Sequence, residues 1–182
     1  MVLDDVITDV KRATSSNQWI NSGEVIRWFK NLEDKSSLTF FKFDVVSFYP
    51  SIKKSLFDKT ISWAKQYTTL TEDQLSVIEN SRKSFLFLDE TPWIKKSNAK
   101  FDVTMGSYDG AEVCQLVGIF ILHNLEKIID QKYVSLYRDD GLAVVKGSGP
   151  ELEKLRKKTF QIFKSLGLKV TIEENRFSRY SF

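Results

Sequence analysis

A single cysteine and a single histidine in 182 residues narrow the chemistry at once. Cys114 has no second thiol in the chain to pair with, and His123 cannot by itself supply the clustered imidazoles and thiolates of a zinc site. Any metal must therefore be held by oxygen. Proline and glycine are scarce, at three and eight residues, and no repeat, low-complexity tract or Pro/Gly-rich stretch marks a linker, so one continuous domain is expected. Long apolar runs are missing too. The run "LVGIFIL" at 116–122 is far too short to cross a bilayer, and the opening "MVLDDVITDVKRA" lacks a secretory pattern. No membrane and an intracellular location are expected, with cytoplasm and nucleus not distinguished. Excess charge is small as well: 27 Lys and Arg against 24 Asp and Glu leave +3, which permits a nucleic-acid partner without demanding one.

What is present is the balance of a folded globular chain, 42% apolar and 28% charged, with an aromatic share rich in phenylalanine. Lysines gather at 53, 54, 59 and 65, at 95, 96 and 100, and at 154, 157 and 158; solvated helix and loop faces account for each cluster taken alone. "GEVIRWFKNL" predicts a short amphipathic helix carrying Val25, Ile26, Trp28, Phe29 and Leu32, and "LTFFKFDVV" a buried strand. Pro50 in "YPSI" is expected to stop that strand, and a lysine-rich helix with Leu56, Phe57, Ile61 and Ala64 follows. Thr71 and Gln74 match a capping box, and "SFLFLDETPWIKK" reads as a hairpin or loop. "GAEVCQLVGIFILHNLEKII", apolar on nearly every face, fits a helix packed inside the domain. A second capping box is expected at Ser148 and Glu151, a helical stop at Gly167 and a last strand at "LKVTI". The order implies an α+β fold, an antiparallel sheet with helices on one side and the other face open to a ligand.

Three aspartates stand out on this frame. Alternation puts Asp44 near the end of the apolar strand, on one face with Lys42 and Phe40. A carboxylate there either caps the following turn or serves chemistry. In "VSLYRDDGLAVV", Asp140-Gly141 reads as the centre of a type I′ hairpin turn, which leaves Asp139 and the clash of adjacent anions unexplained. A divalent cation held by Asp44, Asp139 and Asp140 would resolve that clash, and two such ions form the clamp of in-line phosphoryl transfer.

These residues resemble the palm domain of reverse transcriptases. "FKFDVVSFYPSI" resembles the first palm motif, "YRDD" the aromatic-x-Asp-Asp signature, and "MGSYDGAEVCQLVGIFIL" the Gly-Ser loop and buried helix between them. "FKSLGLKVTIEENRF" is similar to the fourth motif. The Met-Gly-Ser form resembles that of Penelope-like retroelements. The resemblance implies a polymerase palm over 38–177, a partial-fingers or helical lead-in over 1–37, and the truncated start of a thumb-side connection at 178–182. It implies that Asp44, Asp139 and Asp140 hold two Mg²⁺ or Mn²⁺ ions, with Val45 offering its carbonyl, and that Ser47, Phe48, Tyr49, Gly106 and Ser107 meet the incoming nucleotide. Tyr49 would press on the sugar and favour deoxynucleotides, with a core aromatic as the alternative reading; for Gly106, judged alone, a loop glycine without function stands level with the functional one. Arg176 or Lys169 is the implied general acid for the leaving pyrophosphate.

The implied partners are an RNA or DNA template with its primer, deoxynucleoside triphosphates and the remainder of a larger polyprotein. The chain departs from the family in carrying Tyr108-Asp109 where proline usually follows Gly-Ser, and Met105 where glutamine is common. The first motif is also similar to that of B-family DNA-directed polymerases, whose partner motif separates its two aspartates. A non-catalytic nucleic-acid-binding remnant is the third reading, since fingers and thumb are largely missing.

Overall fold

The computed structural model describes residues 2–83, 86–93, 101–147 and 149–176, with side chains left out at 86–87 and 174–176. In chain order the elements are helices α1 (Val2–Thr14) and α2 (Ser22–Asn31), strand β1 (Thr39–Val45), and helices α3 (Phe48–Ser51), α4 (Lys54–Ala64) and α5 (Glu72–Asn80). Strands β2 (Leu86–Leu88) and β3 (Thr91–Trp93), helix α6 (Gly110–Leu125), strands β4 (Val134–Tyr137) and β5 (Asp140–Val145), helix α7 (Gly149–Ser165) and strand β6 (Val170–Arg176) complete them. Among the described residues no helix is long and apolar enough to cross a membrane.

The chain divides into two compact units, Met1–Thr14 with Ser47–Val117 and Ser15–Val46 with Gly118–Phe182. The expectation of one domain rested on the lack of a linker. No linker is visible because two of the crossings fall at the end of β1 and inside α6, where the chain is as apolar as any core element.

The second unit holds the four-stranded sheet, in the order β4-β5-β1-β6, with every pairing antiparallel. The α+β expectation holds. Strand β1 alternates as its sequence predicts: Thr39, Phe41, Phe43 and Val45 are buried, while Phe40, Lys42 and Asp44 are less so. Helix α7 covers the buried face with Leu152, Thr159 and Phe163, and Phe163 meets Phe43 at a ring separation of 5.7 Å. It stops where glycine allows a left-handed residue: Gly167 has φ +74°, its N–H reaches the Lys164 carbonyl, and the Leu168 N–H reaches that of Phe163. The expected capping box at its other end includes Ser148, which lies outside the described residues.

The opposite face is only half open. Helix α2 starts at an Asn21 cap whose side chain accepts the Glu24 N–H, and it lays Phe29 against Phe40 at 5.8 Å. Leu32, Leu38 and Val144 form a cluster beneath it with Trp28 and Tyr133. The Phe40 end of this face is thus roofed, and the Asp44 end is left.

In the first unit α1 buries Leu3, Val6, Ile7 and Val10, and α4 buries Leu56, Phe57, Thr60, Ile61, Trp63 and Ala64. Both bonds of the Thr71–Gln74 capping box form. Strands β2 and β3 make a two-residue hairpin whose central residues, Asp89 and Glu90, both take positive φ. Pro50 does not end β1 as expected. The strand ends at Val45, Ser47 turns the chain at φ +51°, and Pro50 sits in the first turn of α3, where no intrahelical N–H bond is lost.

Candidate functional site

The sheet register decides what the aspartates do to each other. Asp44 pairs directly with Asp140 on β5 and with Thr171 on β6, so all three lie on one face. The next row carries Lys42 opposite Leu142 and Glu173. Two carboxylates thus face each other across adjacent strands at the open end of the sheet.

The turn beside them differs from the one read in sequence. Tyr137 pairs with Asp140, so the two-residue loop is Arg138-Asp139 rather than Asp140-Gly141, and Arg138 supplies the positive φ of 55°. Gly141 has a different reason to be glycine: it lies opposite Phe43, and a Cβ there would overlap ring carbons Cε2 and Cζ of Phe43. Packing, not turn chemistry, explains the residue. The consequence is that Asp140 belongs to the strand, and Asp139 to the turn. The Asp139 carbonyl accepts the Val45 N–H at 3.1 Å, tying the turn to the end of β1.

Burial raises the pKa of Asp44 above its ordinary value, and the charges of Asp140 and then Asp139 raise it further, while Lys42 opposes them. Among the described residues no hydrogen-bond donor or ion-pair partner meets the carboxylates of Asp44, Asp139 or Asp140. Hard, unsatisfied oxygen donors of this kind are the set a divalent cation takes. They do not form a closed cage as they stand: among the described residues no group of three or more His, Cys, Asp or Glu side chains is placed to hold a metal ion. A cavity of about 490 Å³ opens beside Asp140, with Trp19, Val25, Lys42, Tyr137 and Leu142 in its walls.

The two general-acid candidates stand at opposite ends of the sheet. The Lys169 carbonyl accepts the Val46 N–H at 3.0 Å, at the carboxylate end, and its side chain is exposed. Arg176 pairs with Thr39 at the far end of β1, roughly 17 Å of strand from Asp44 at about 3.3 Å per residue, and its side chain lies outside the described residues.

Ser47, Phe48, Tyr49, Gly106 and Ser107 all belong to the other unit. Ser47 is exposed and makes no side-chain cap for α3, Phe48 is buried in the core, and Tyr49 is half-buried. Gly106 takes φ +86° with open space where a Cβ would point. The Ser107 hydroxyl donates to the Thr104 carbonyl at 2.8 Å. Sequence reading passed over Thr171 and Glu173, which only the register brings to the Asp44 face. It also passed over Arg82, since a lone arginine before a lysine reads as surface charge, and it met Arg82's buried partner Asp109 only as a departure from the family's loop.

No family model matches the chain, and no curated protein matches it in sequence. Among solved structures it is similar to an apo telomerase from Candida tropicalis truncated from its C-terminal domain, with a TM-score of 0.66 at 13% identity. The match covers 98% of this chain and 40% of that one, so the chain spans well under half the length of the structure it matches. At this identity the likeness is one of fold: a distant, reverse-transcriptase-like α+β fold.

Proposed function

We propose that the chain carries the carboxylate centre of a reverse-transcriptase-like nucleotidyl transferase, adding deoxynucleotides to a primer 3′-hydroxyl along an RNA or DNA template. The observation that carries this is the register of Asp44 against Asp140, two carboxylates opposed on an open sheet face with no donor among the described residues. Anions arranged this way cost the fold and gain it nothing, so a ligand of opposite charge is the simplest reason for them.

In this reading Asp44, Asp139 and Asp140 hold two Mg²⁺ or Mn²⁺ ions, with the Val45 carbonyl as a further oxygen. Bound there, the ions would activate the attacking hydroxyl and neutralise charge on the leaving phosphate. Lys169 is the better-placed proton donor to pyrophosphate, because it shares the carboxylate end of the sheet and Arg176 does not. Ser47, Phe48, Tyr49, Gly106 and Ser107 are the proposed nucleotide contacts. The left-handed backbone at Ser47 and the open approach at Gly106 support the role within their own unit. Tyr49 is assigned the rejection of a 2′-hydroxyl. The Met105-Gly106-Ser107 form favours a Penelope-like retroelement origin, with this chain as part of a larger polyprotein.

Primer extension on RNA and DNA templates tests the proposal. Extension that needs Mg²⁺ or Mn²⁺, and that falls on the order of a hundredfold or more in Asp140→Asn, is expected. Extension on neither template would leave a non-catalytic nucleic-acid-binding remnant, and extension on DNA alone would favour a B-family polymerase.

A further inference from the structure

Arg82 is among the most deeply buried side chains described, at 2% exposure, in the turn that follows α5, two residues past the helix end. Taking a guanidinium out of water is expensive, and burial lowers its pKa from the ordinary arginine value, with Cys114 and Asp102 opposing the shift. None of Nε, Nη1 and Nη2 makes a hydrogen bond among the described residues. What the side chain does have is an ion pair between Nη2 and Oδ1 of Asp109, itself 7% exposed at the side chain. The Arg82 carbonyl meanwhile accepts the Asp102 N–H at 2.9 Å. One residue therefore grips both ends of the segment 102–109.

Inside the grip the segment is bonded to itself. Thr104 Oγ1 donates to Asp102 Oδ2 at 2.8 Å, the Thr104 carbonyl accepts both the Ser107 N–H and hydroxyl, and the Ser107 carbonyl accepts the Gly110 N–H. Gly110 must be glycine, since a Cβ there would lie 2.5 Å from Ser107 Oγ and 2.7 Å from the Thr104 carbonyl. The outer side is bare. Met105 and Tyr108 are 76% and 88% exposed, and Gly106 has nothing within 4 Å of where its Cβ would be. Stability is a weak reason for such a buried pair, because apolar residues of the same volume commonly serve as well or better. Fixed geometry is the stronger one.

We propose that Arg82 is a positioning residue, holding the Gly106–Ser107 segment in the arrangement that receives the incoming nucleotide; this rests on the nucleotidyl-transfer reading above. Arg82 touches no substrate and acts through Asp102 and Asp109.

The test compares the wild-type chain with the double variant Arg82→Met/Asp109→Leu, which removes the pair without stranding a buried charge, and with Arg82→Lys. Amide hydrogen exchange at Ser107 and Gly110 is read alongside KM and kcat in primer extension. The double variant is expected to melt near wild type, to exchange both amides about tenfold faster or more, and to raise KM for the nucleotide about tenfold with a smaller change in kcat. Arg82→Lys should recover part of both. Wild-type exchange and KM in a folded double variant would overturn the proposal, since the pair would then only fill core. Where the double variant does not fold, Arg82→Gln/Asp109→Asn, which also leaves no buried charge unpaired, is read the same way. A wild-type chain that extends no primer removes the nucleotidyl-transfer reading and the positioning role with it, whereas unchanged exchange beside active extension removes the positioning role alone.

Discussion

Gly141 shows how much one residue decides. Read along the sequence, Asp-Gly between apolar runs is a hairpin turn; in the fold the glycine faces Phe43, whose ring occupies the space of a Cβ. The two explanations predict different rescues. Gly141→Ala is expected to cost about 3 kcal/mol through overpacking, measured by denaturant unfolding, and Phe43→Leu in the same chain should return a good part of it. If the glycine served a turn with positive φ, trimming Phe43 would return nothing. The glycine also stands beside the site, because Phe43↔Gly141 is the pair next to Asp44↔Asp140 in the β1–β5 register.

At the level of the element, the open end of the sheet is an electrostatic defect with a measurable sign. The pKa of Asp44 is raised, so the folded state binds its proton more tightly than the unfolded state. Stability on this account is fullest below the ordinary aspartate value of 3.8 and is lost as pH rises through the raised folded value. Asp44→Asn is therefore expected to melt higher than wild type at pH 7, with the gain shrinking towards nothing as pH falls below 3.8; an equal gain at every pH would refute the charge argument. The parts of this element that were legible in sequence are local ones. The alternation of β1, the Gly167 stop and the Thr71–Gln74 cap each depend on neighbours a few residues away. The parts that were not legible depend on distant pairing. Thr171 and Glu173 reach the Asp44 face through a partner more than a hundred residues earlier, and α2 roofs half the face through Phe29 on Phe40. For the same reason Arg82 looked like surface: its burial is set by Asp102 and Asp109, and nothing beside it in sequence signals that.

The molecule as a whole is interleaved, and that has a cost that neither unit shows alone. Each unit is assembled from two separated stretches, so the first fourteen residues complete a unit whose other stretch begins at Ser47. Helix α1 lies within the stretch expected as a partial-fingers or helical lead-in over 1–37, and its Leu3, Val6, Ile7 and Val10 follow the three-and-four spacing of a buried stripe. Its buried side chains account for a gross burial of roughly 6–12 kcal/mol at about 1.5–3 kcal/mol each, comparable to the whole net stability of a typical domain. Thr68 adds a hydrogen bond from its hydroxyl to Asp9 at 2.8 Å. Removing residues 1–14 is thus expected to unfold the first unit rather than trim it, and amide hydrogen exchange at Lys65 and Leu75, whose N–H groups close the last turn of α4 and the first turn of α5, should rise to the rate of an open chain. Adding the peptide of residues 1–14 back in excess should restore protection, because Leu3, Val6, Ile7 and Val10 supply the apolar surface that the unit buries. Full protection in the shortened chain without the peptide would mean that α1 decorates the unit instead of building it.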